Sequence, residues 1–357
     1  MSIKLIATDL DGTLMSGDHL TVSPRTVAAL QAAHDRGVCL AIATGRTLDF
    51  IDHVTAQVPF VDYVIYSNGA AVYDRKNDAH ICQQLIPPKA VQRILQTLAP
   101  QPLYYNVYWD GGMYLEEARL PYYNSDSLPH AVLEQFIAKA HREENLLDKA
   151  DKGAESIAVY DLNPEQADWV RSVLEGEGLE VVSSLPNELE CTAPGANKGA
   201  ALAGIARQLQ IEPEQVMSFG DAGNDCPMLA FAHYSFAMEN GAPECKAAAR
   251  YRAEANTADG VAKAIEHFLK SKKVGDALIQ EQVERARAAL ERGGVPQSFA
   301  PLLAGGDDGD TDRRTEEFRA AYQASLAEDV KSRLPASAPV VTAPLPQRPR
   351  RGIRRLR

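Results

Sequence analysis

Two carboxylates, Asp9 and Asp11, stand one residue apart where the apolar run KLIAT gives out, and Gly12 and Thr13 follow them. In an extended backbone, residues i and i+2 face the same way, so both acids would project into one small volume. Like charges held that close repel unless a cation or a proton settles them. A further acidic set, Asp221 and Asp225 with Asn224 between, follows another apolar run, VMSF. Oxygen ligands with no histidine or thiol nearby favour Mg2+, which keeps waters and holds substrate phosphates. The chemistry these residues could do is phosphoryl transfer beside a divalent cation. An EF-hand loop starting at Asp9 would need Gly at its sixth place and Glu at its twelfth. Those places hold Leu14 and Leu20, so that reading fails. His19, His34 and the other histidines lack metal-ligand spacing and are expected to take no part.

To meet, these acids must be carried by elements that end in one place. Five short apolar runs read as buried parallel strands: 4–8, 38–43, 63–66, 216–219 and 234–237. Between them lie stretches of helical period such as SPRTVAALQAAHDRG, where Ser23 can cap, Pro24 suits the first turn and Gly37 ends the helix. Such alternation predicts an open parallel sheet covered on both faces, and ligands bind such sheets beyond the carboxyl ends of the strands. Here those ends read TDLDGT, ATGR, SNGA, FGDAGND and MENGA.

Residues 83–190 differ in texture. YYNVYWD, GMYLEE, ESIAVYDL and LEVVSS are candidate strands, and PKAVQRILQTLA and NPEQADWVRSVLEGEG are helix-like. This predicts an α+β module inserted into the sheet domain. The aromatics of Tyr104–Trp109 are expected to pack its small core, with a substrate wall as the alternative reading. The expected organisation is thus a core in two parts, 1–82 and 191–270, around an insert at 83–190. A helical extension at 271–335 and a basic, Pro-rich, disordered tail at 336–357 follow.

Composition bounds the rest. The 357 residues are 45% hydrophobic and 24% charged, as in globular proteins, and carry a net charge of −11. Residues 1–270 hold 21 Lys/Arg against 36 Asp/Glu, whereas those from Ser271 onward hold 16 against 12. An acidic body argues against nucleic acid as its partner. No apolar run is long enough to span a bilayer. Five scattered cysteines without a CxxC pair point to a reducing cytoplasm rather than a zinc or disulfide framework.

DLDGT, TGR, NKG and GDAGND, in this order over residues 1–269, resemble the four motifs of the haloacid dehalogenase (HAD) superfamily. The large insert between the second and third resembles the Cof-type, class IIB branch, whose Rossmann-like core carries a C2-type cap. The resemblance implies a Mg2+-dependent phosphatase acting on a small phosphorylated metabolite, a sugar phosphate first among them. A phosphomutase is the alternative. Asp9 would be the nucleophile and Asp11 the general acid and base, its proton kept because Asp9 carries the charge. Asp9, Asp221 and the backbone carbonyl of Asp11 would hold the metal, with Asp225 behind them. Leu10, Thr44, Gly45, Lys198 and Asn224 would bind the phosphate, and Arg46 and Asn68 the leaving group. The segment from about 275 to 357 resembles the C-terminal part of tailed-phage capsid scaffolding proteins. That likeness implies self-association or capsid-protein contact.

Overall fold

The computed structural model describes residues 3–123, 130–183 and 187–270; the expected extension and tail lie outside them. In chain order the strands are β1 (Leu5–Thr8), β2 (Cys39–Ala43), β3 (Tyr63–Tyr66), β4 (Ala71–Asp74), β5 (Ala79–Gln83), β6 (Tyr104–Trp109) and β7 (Gly112–Glu116). They continue as β8 (His141–Glu143), β9 (Ser156–Tyr160), β10 (Glu180–Val182), β11 (Leu189–Thr192), β12 (Val216–Gly220), β13 (Tyr234–Met238) and β14 (Tyr251–Ala253).

The core sheet runs β14-β13-β12-β1-β2-β3-β4-β5, and its first six strands are parallel. All four residues of β1 are buried, because helices cover both faces and a strand so placed must be apolar throughout. Ser23 accepts a hydrogen bond from the Thr26 N–H and Pro24 opens the helix Pro24–His34, as the sequence predicts. That helix docks on Gly260–Lys270 through a two-armed Arg25–Glu266 pair, both bonds 2.8 Å. β4 and β5 turn back antiparallel, a hairpin that the parallel reading missed. β5 is the solvent-facing edge of the sheet and alternates too weakly to read as a strand.

The insert folds as a second sheet, β10-β11-β9-β6-β7-β8. Helices Pro88–Leu98 and Pro164–Gly176 pack on it, the latter opened by a reciprocal Asn163–Gln166 cap. β11 belongs to this sheet, so the boundary expected after residue 190 moves beyond Thr192. β6 answers both readings of its aromatics at once. Tyr105, Val107 and Trp109 enter the hydrophobic core of the insert, while Tyr104, Asn106 and Tyr108 point the other way, toward the core domain.

Several contacts join the units, at the linkers and inside the joint. The chain leaves the core at Gln84, whose N–H meets Ala70 O at 2.7 Å and whose side-chain amide donates to Pro194 O, where the chain returns. Inside the joint, the buried Glu155 accepts from Tyr66 Oη at 2.9 Å and from the Gly111 N–H at 3.0 Å. Among the described residues no helix is long and apolar enough to cross a membrane.

Candidate active site

The carboxyl ends of β1, β2, β3 and β12 converge. Asp9 leaves β1 with its N–H on Phe219 O of β12, 3.0 Å away. The chain then turns through Leu10–Leu14, where Gly12 sits at φ +76°. A Cβ on Gly12 would come within 2.4 Å of Asp221 Oδ2, so only glycine lets the two acidic turns approach. Thr13 Oγ1 donates to Asp221 Oδ1 at 2.6 Å and fixes that carboxylate. Leu10 buries its side chain in the core and can offer the site only its backbone.

Lys198 reaches the same point from the first turn of Lys198–Gln208, a helix capped by Asn197. Its Nζ donates to Asp9 Oδ1 and to Asp225 Oδ1, both at 2.7 Å, and the side chain is only 1% exposed. Gly69, at φ +94°, makes this approach feasible. A Cβ there would stand 2.3 Å from the Asn197 carbonyl, so the SNGA turn rests directly on the start of the lysine helix. Asp225 spends its other oxygen on the Asp221 and Ala222 N–H groups, at 2.9 and 3.0 Å.

Burial pushes the Asp9 carboxyl well up, and Lys198 works against that push. Burial and the Asp225 charge raise Asp221 to about 6. Burial opposes the Lys198 charge too, but Asp225 and Asp9 outweigh it and hold the ammonium protonated. With all three ionised, the carboxylates would exceed the one ammonium by two negative charges, the excess that a divalent cation would neutralise. Asp9, Asp221 and Asp225 offer oxygens within 4.8 Å of one another. Because both oxygens of Asp225 are engaged, Asp9 and Asp221 are the side chains left to hold an ion. An all-oxygen set of this kind fits Mg2+.

Asp11 is arranged differently from expectation. Arg46 grips it with Nε on Oδ2 at 2.8 Å and Nη2 on Oδ1 at 2.7 Å, and His19 Nδ1 lies 2.7 Å from Oδ1. Burial alone would raise the Asp11 pKa, but the His19 bond and the Arg46 charge outweigh it and lower the value to about 2. In this conformation Asp11 is an ionised carboxylate, not the proton-bearing acid expected. Arg46 pairs with Asp11 while also lining the cavity, and His19, expected to be idle, is the second partner of Asp11. Asn68 is buried, and its Oδ1 accepts from Asn224 Nδ2 at 2.9 Å. Thr44 is buried beyond β2, and its hydroxyl accepts from the Arg46 N–H at 3.0 Å, leaving its own proton to donate.

A cavity of about 300 Å3 opens over this floor. Asp9, Asp11, Gly45, Arg46, Asp221 and Asn224 line the core side, while Asn106, Tyr108, Glu188 and Glu190 face them from the insert. Sequence reasoning missed His19, Asn106 and Glu188. The signal for Asn106 was present as a lone polar residue in phase with Tyr104 and Tyr108.

Residues 6–265 match the haloacid dehalogenase-like hydrolase family. The chain is 30% identical over 270 residues to the 5-amino-6-(5-phospho-D-ribitylamino)uracil phosphatase YcsE of Bacillus subtilis, covering 75% of this chain and 97% of that one. It is 28% identical to the HMP-PP phosphatase of Klebsiella pneumoniae, covering 68% and 87%. Among solved structures it resembles an HAD subclass IIB sugar phosphatase, with a TM-score of 0.63, 25% identity, and 74% and 98% coverage. A haloacid dehalogenase-like hydrolase from B. subtilis gives a TM-score of 0.65 at 27% identity, covering 74% and 99%.

Proposed function

Because this chain belongs to the haloacid dehalogenase-like hydrolases, we propose that it is a Mg2+-dependent phosphatase that cleaves a small phosphorylated metabolite through an aspartyl-phosphate on Asp9. The observation that supports this most is the Lys198 ammonium, 2.7 Å from both Asp9 and Asp225, with Asp221 completing the acidic floor. Three stretches separate in sequence meet where phosphoryl transfer needs nucleophile and positive charge together.

Asp9 attacks phosphorus and the bond to the leaving oxygen breaks, giving the acyl phosphate. Asp11, once free of Arg46 and protonated, gives its proton to that oxygen; as a carboxylate it then takes a proton from the water that releases phosphate. Lys198, the Thr44 hydroxyl and the Gly45 N–H stabilise the phosphoryl oxygens as charge builds on them. A bound Mg2+, held by Asp9, Asp221 and the Asp11 carbonyl, would neutralise the acids and orient the phosphoryl group. The resemblance favours a sugar phosphate as substrate, and the free thiols of all five cysteines support a cytoplasmic setting.

The test is phosphate release from a panel of phosphomonoesters, with Mg2+ and with chelator. Asp9→Asn is expected to lower turnover by on the order of 10^4-fold. An isomerised ester in place of free phosphate would make the chain a mutase; release that survives both the chelator and Asp9→Asn would refute the assignment.

A further inference from the structure

We infer that Asn240 is a positioning residue for the metal site: with the two residues that follow it, it locks the turn bearing Asp9 and Asp11 to the turn bearing Asp221. The inference rests on the Mg2+ site proposed above, held by Asp9, Asp221 and the Asp11 carbonyl.

Of the five strand ends that stand out in the sequence, MENGA after β13 is the one given no part in the chemistry. It touches both acidic turns. Asn240 Nδ2 donates to Gly12 O at 2.8 Å, and the Ala242 N–H donates to Asp221 O at 2.7 Å. Between them Gly241 lies so close that a Cβ would stand 3.0 Å from both the Cα and the carbonyl oxygen of Asp221. Three consecutive residues therefore hold two turns that come from opposite ends of the chain. The neighbours also settle which way the Asn240 amide faces. Its Oδ1 accepts from the Asn256 N–H at 3.1 Å, so Nδ2 is the atom turned to Gly12. Asn256 Nδ2 in turn donates to Met15 O at 2.9 Å, just past the same turn.

What Asn240 holds is a peptide next to a metal ligand. Asp11 (φ −76°, ψ 121°) and Gly12 (φ +76°, ψ −2°) form the centre of a type II turn. Types I and II differ by a rotation of the peptide between those two residues, the one that carries the Asp11 carbonyl. A donor on Gly12 O fixes the far side of that peptide and resists the rotation. Thr13, which follows, fixes Asp221 through its hydroxyl at 2.6 Å. Asn240 is exposed and uncharged, so it acts on the site through geometry rather than through burial or field. Ligands supplied by two separate turns hold an ion well only while their spacing is kept, and outer partners keep it.

The test is Mg2+ binding to the full-length protein without substrate, followed by titration calorimetry and by the rise in melting temperature over a chelator baseline. Asn240→Ala is expected to weaken Mg2+ binding by about tenfold. In chelator it should melt close to the wild type, and it should gain less stability from a given Mg2+ concentration. Gly241→Ala, whose methyl presses on the Asp221 backbone, should weaken binding in the same direction. Arg25→Ala loosens the docking of the helix Gly260–Lys270 without touching either turn, and should leave Mg2+ affinity unchanged. Saturating Mg2+ should return kcat of Asn240→Ala to within about threefold of the wild type. Wild-type Mg2+ affinity in Asn240→Ala, an equal weakening in Arg25→Ala, or a kcat loss that no Mg2+ concentration recovers would overturn the inference while the phosphatase assignment stood. The expected weakening in a protein that releases phosphate from no ester would uphold the inference and sink that assignment.

Discussion

Arg46 and Asp11 form a two-armed pair at 2.8 and 2.7 Å, so the residue assigned to deliver a proton is held in its proton-free form. The grip is tied into neighbouring structure. Arg46 Nη2 also donates to His19 O at 3.0 Å, and the guanidinium lies 5.7 Å from the ring centre of Phe136 in the insert. Under the proposed mechanism this pair must part.

If Asp11 protonates the leaving oxygen, its loss should matter in proportion to how badly that oxygen needs a proton. Asp11→Asn is expected to slow cleavage of alkyl phosphates by about 10^2- to 10^4-fold. Single-turnover release of p-nitrophenol, a leaving group stable as its anion, should fall far less. Equal losses for both esters would remove Asp11 from the acid role.

Lys198 is buried between two carboxylates, and removing one member of such a pair leaves an uncompensated charge that costs about 3–5 kcal/mol. Lys198→Met should therefore destabilise the fold by that order in chemical denaturation. Adding Asp225→Asn should recover part of the loss, because the neutral amide no longer needs the ammonium. Purely additive losses would show that the two side chains do not depend on each other.

Glu155 gives the joint between core and insert a pH dependence of definite sign. Burial raises its pKa from 4.5 to about 7, against the opposing bonds from Tyr66 and Gly111. Below pH 4.5 folded and unfolded chains both hold the proton. Between 4.5 and 7 only the folded chain keeps it, so stability falls as pH rises, by about 3 kcal/mol in all. Glu155→Gln, which cannot ionise, should show a shallower decline in melting temperature over that range. Parallel curves for the two proteins would refute the assignment.

The helix Gly260–Lys270 is tied to the body by Arg25 on Glu266 and by Arg36 Nη1 on Leu269 O at 2.9 Å. Removing residues 271–357 is expected to leave kcat/KM for phosphate release unchanged. A large loss would place part of the catalytic unit beyond Lys270.

What could be read in advance followed from strong local constraint. A strand paired on both sides and covered on both faces must be apolar, so β1, β2, β3, β12 and β13 stood out, and with them the polar residues at their ends. β5 is exposed and β8 is three residues long, so neither carries that signature. Within the site, Asp9, Lys198 and Asp221 lie in short motifs whose turns need particular residues, such as Gly12. His19 reaches Asp11 only because the loop folds back through a Ser16–Thr21 contact and a residue at φ +57°, which no spacing rule announces. Glu188 depends on how the two sheets face each other, and that is a property of the assembled molecule.

The hydrogen bond between Gln84 and Pro194 means that the points where the chain departs from the core and rejoins it are one side chain apart. Closing a segment whose ends already touch adds little entropic cost as the segment lengthens. The inserted unit is therefore an exchangeable module: a different one could be grafted between these positions to change what is recognised, while the residues that break the phosphate ester stay where they are.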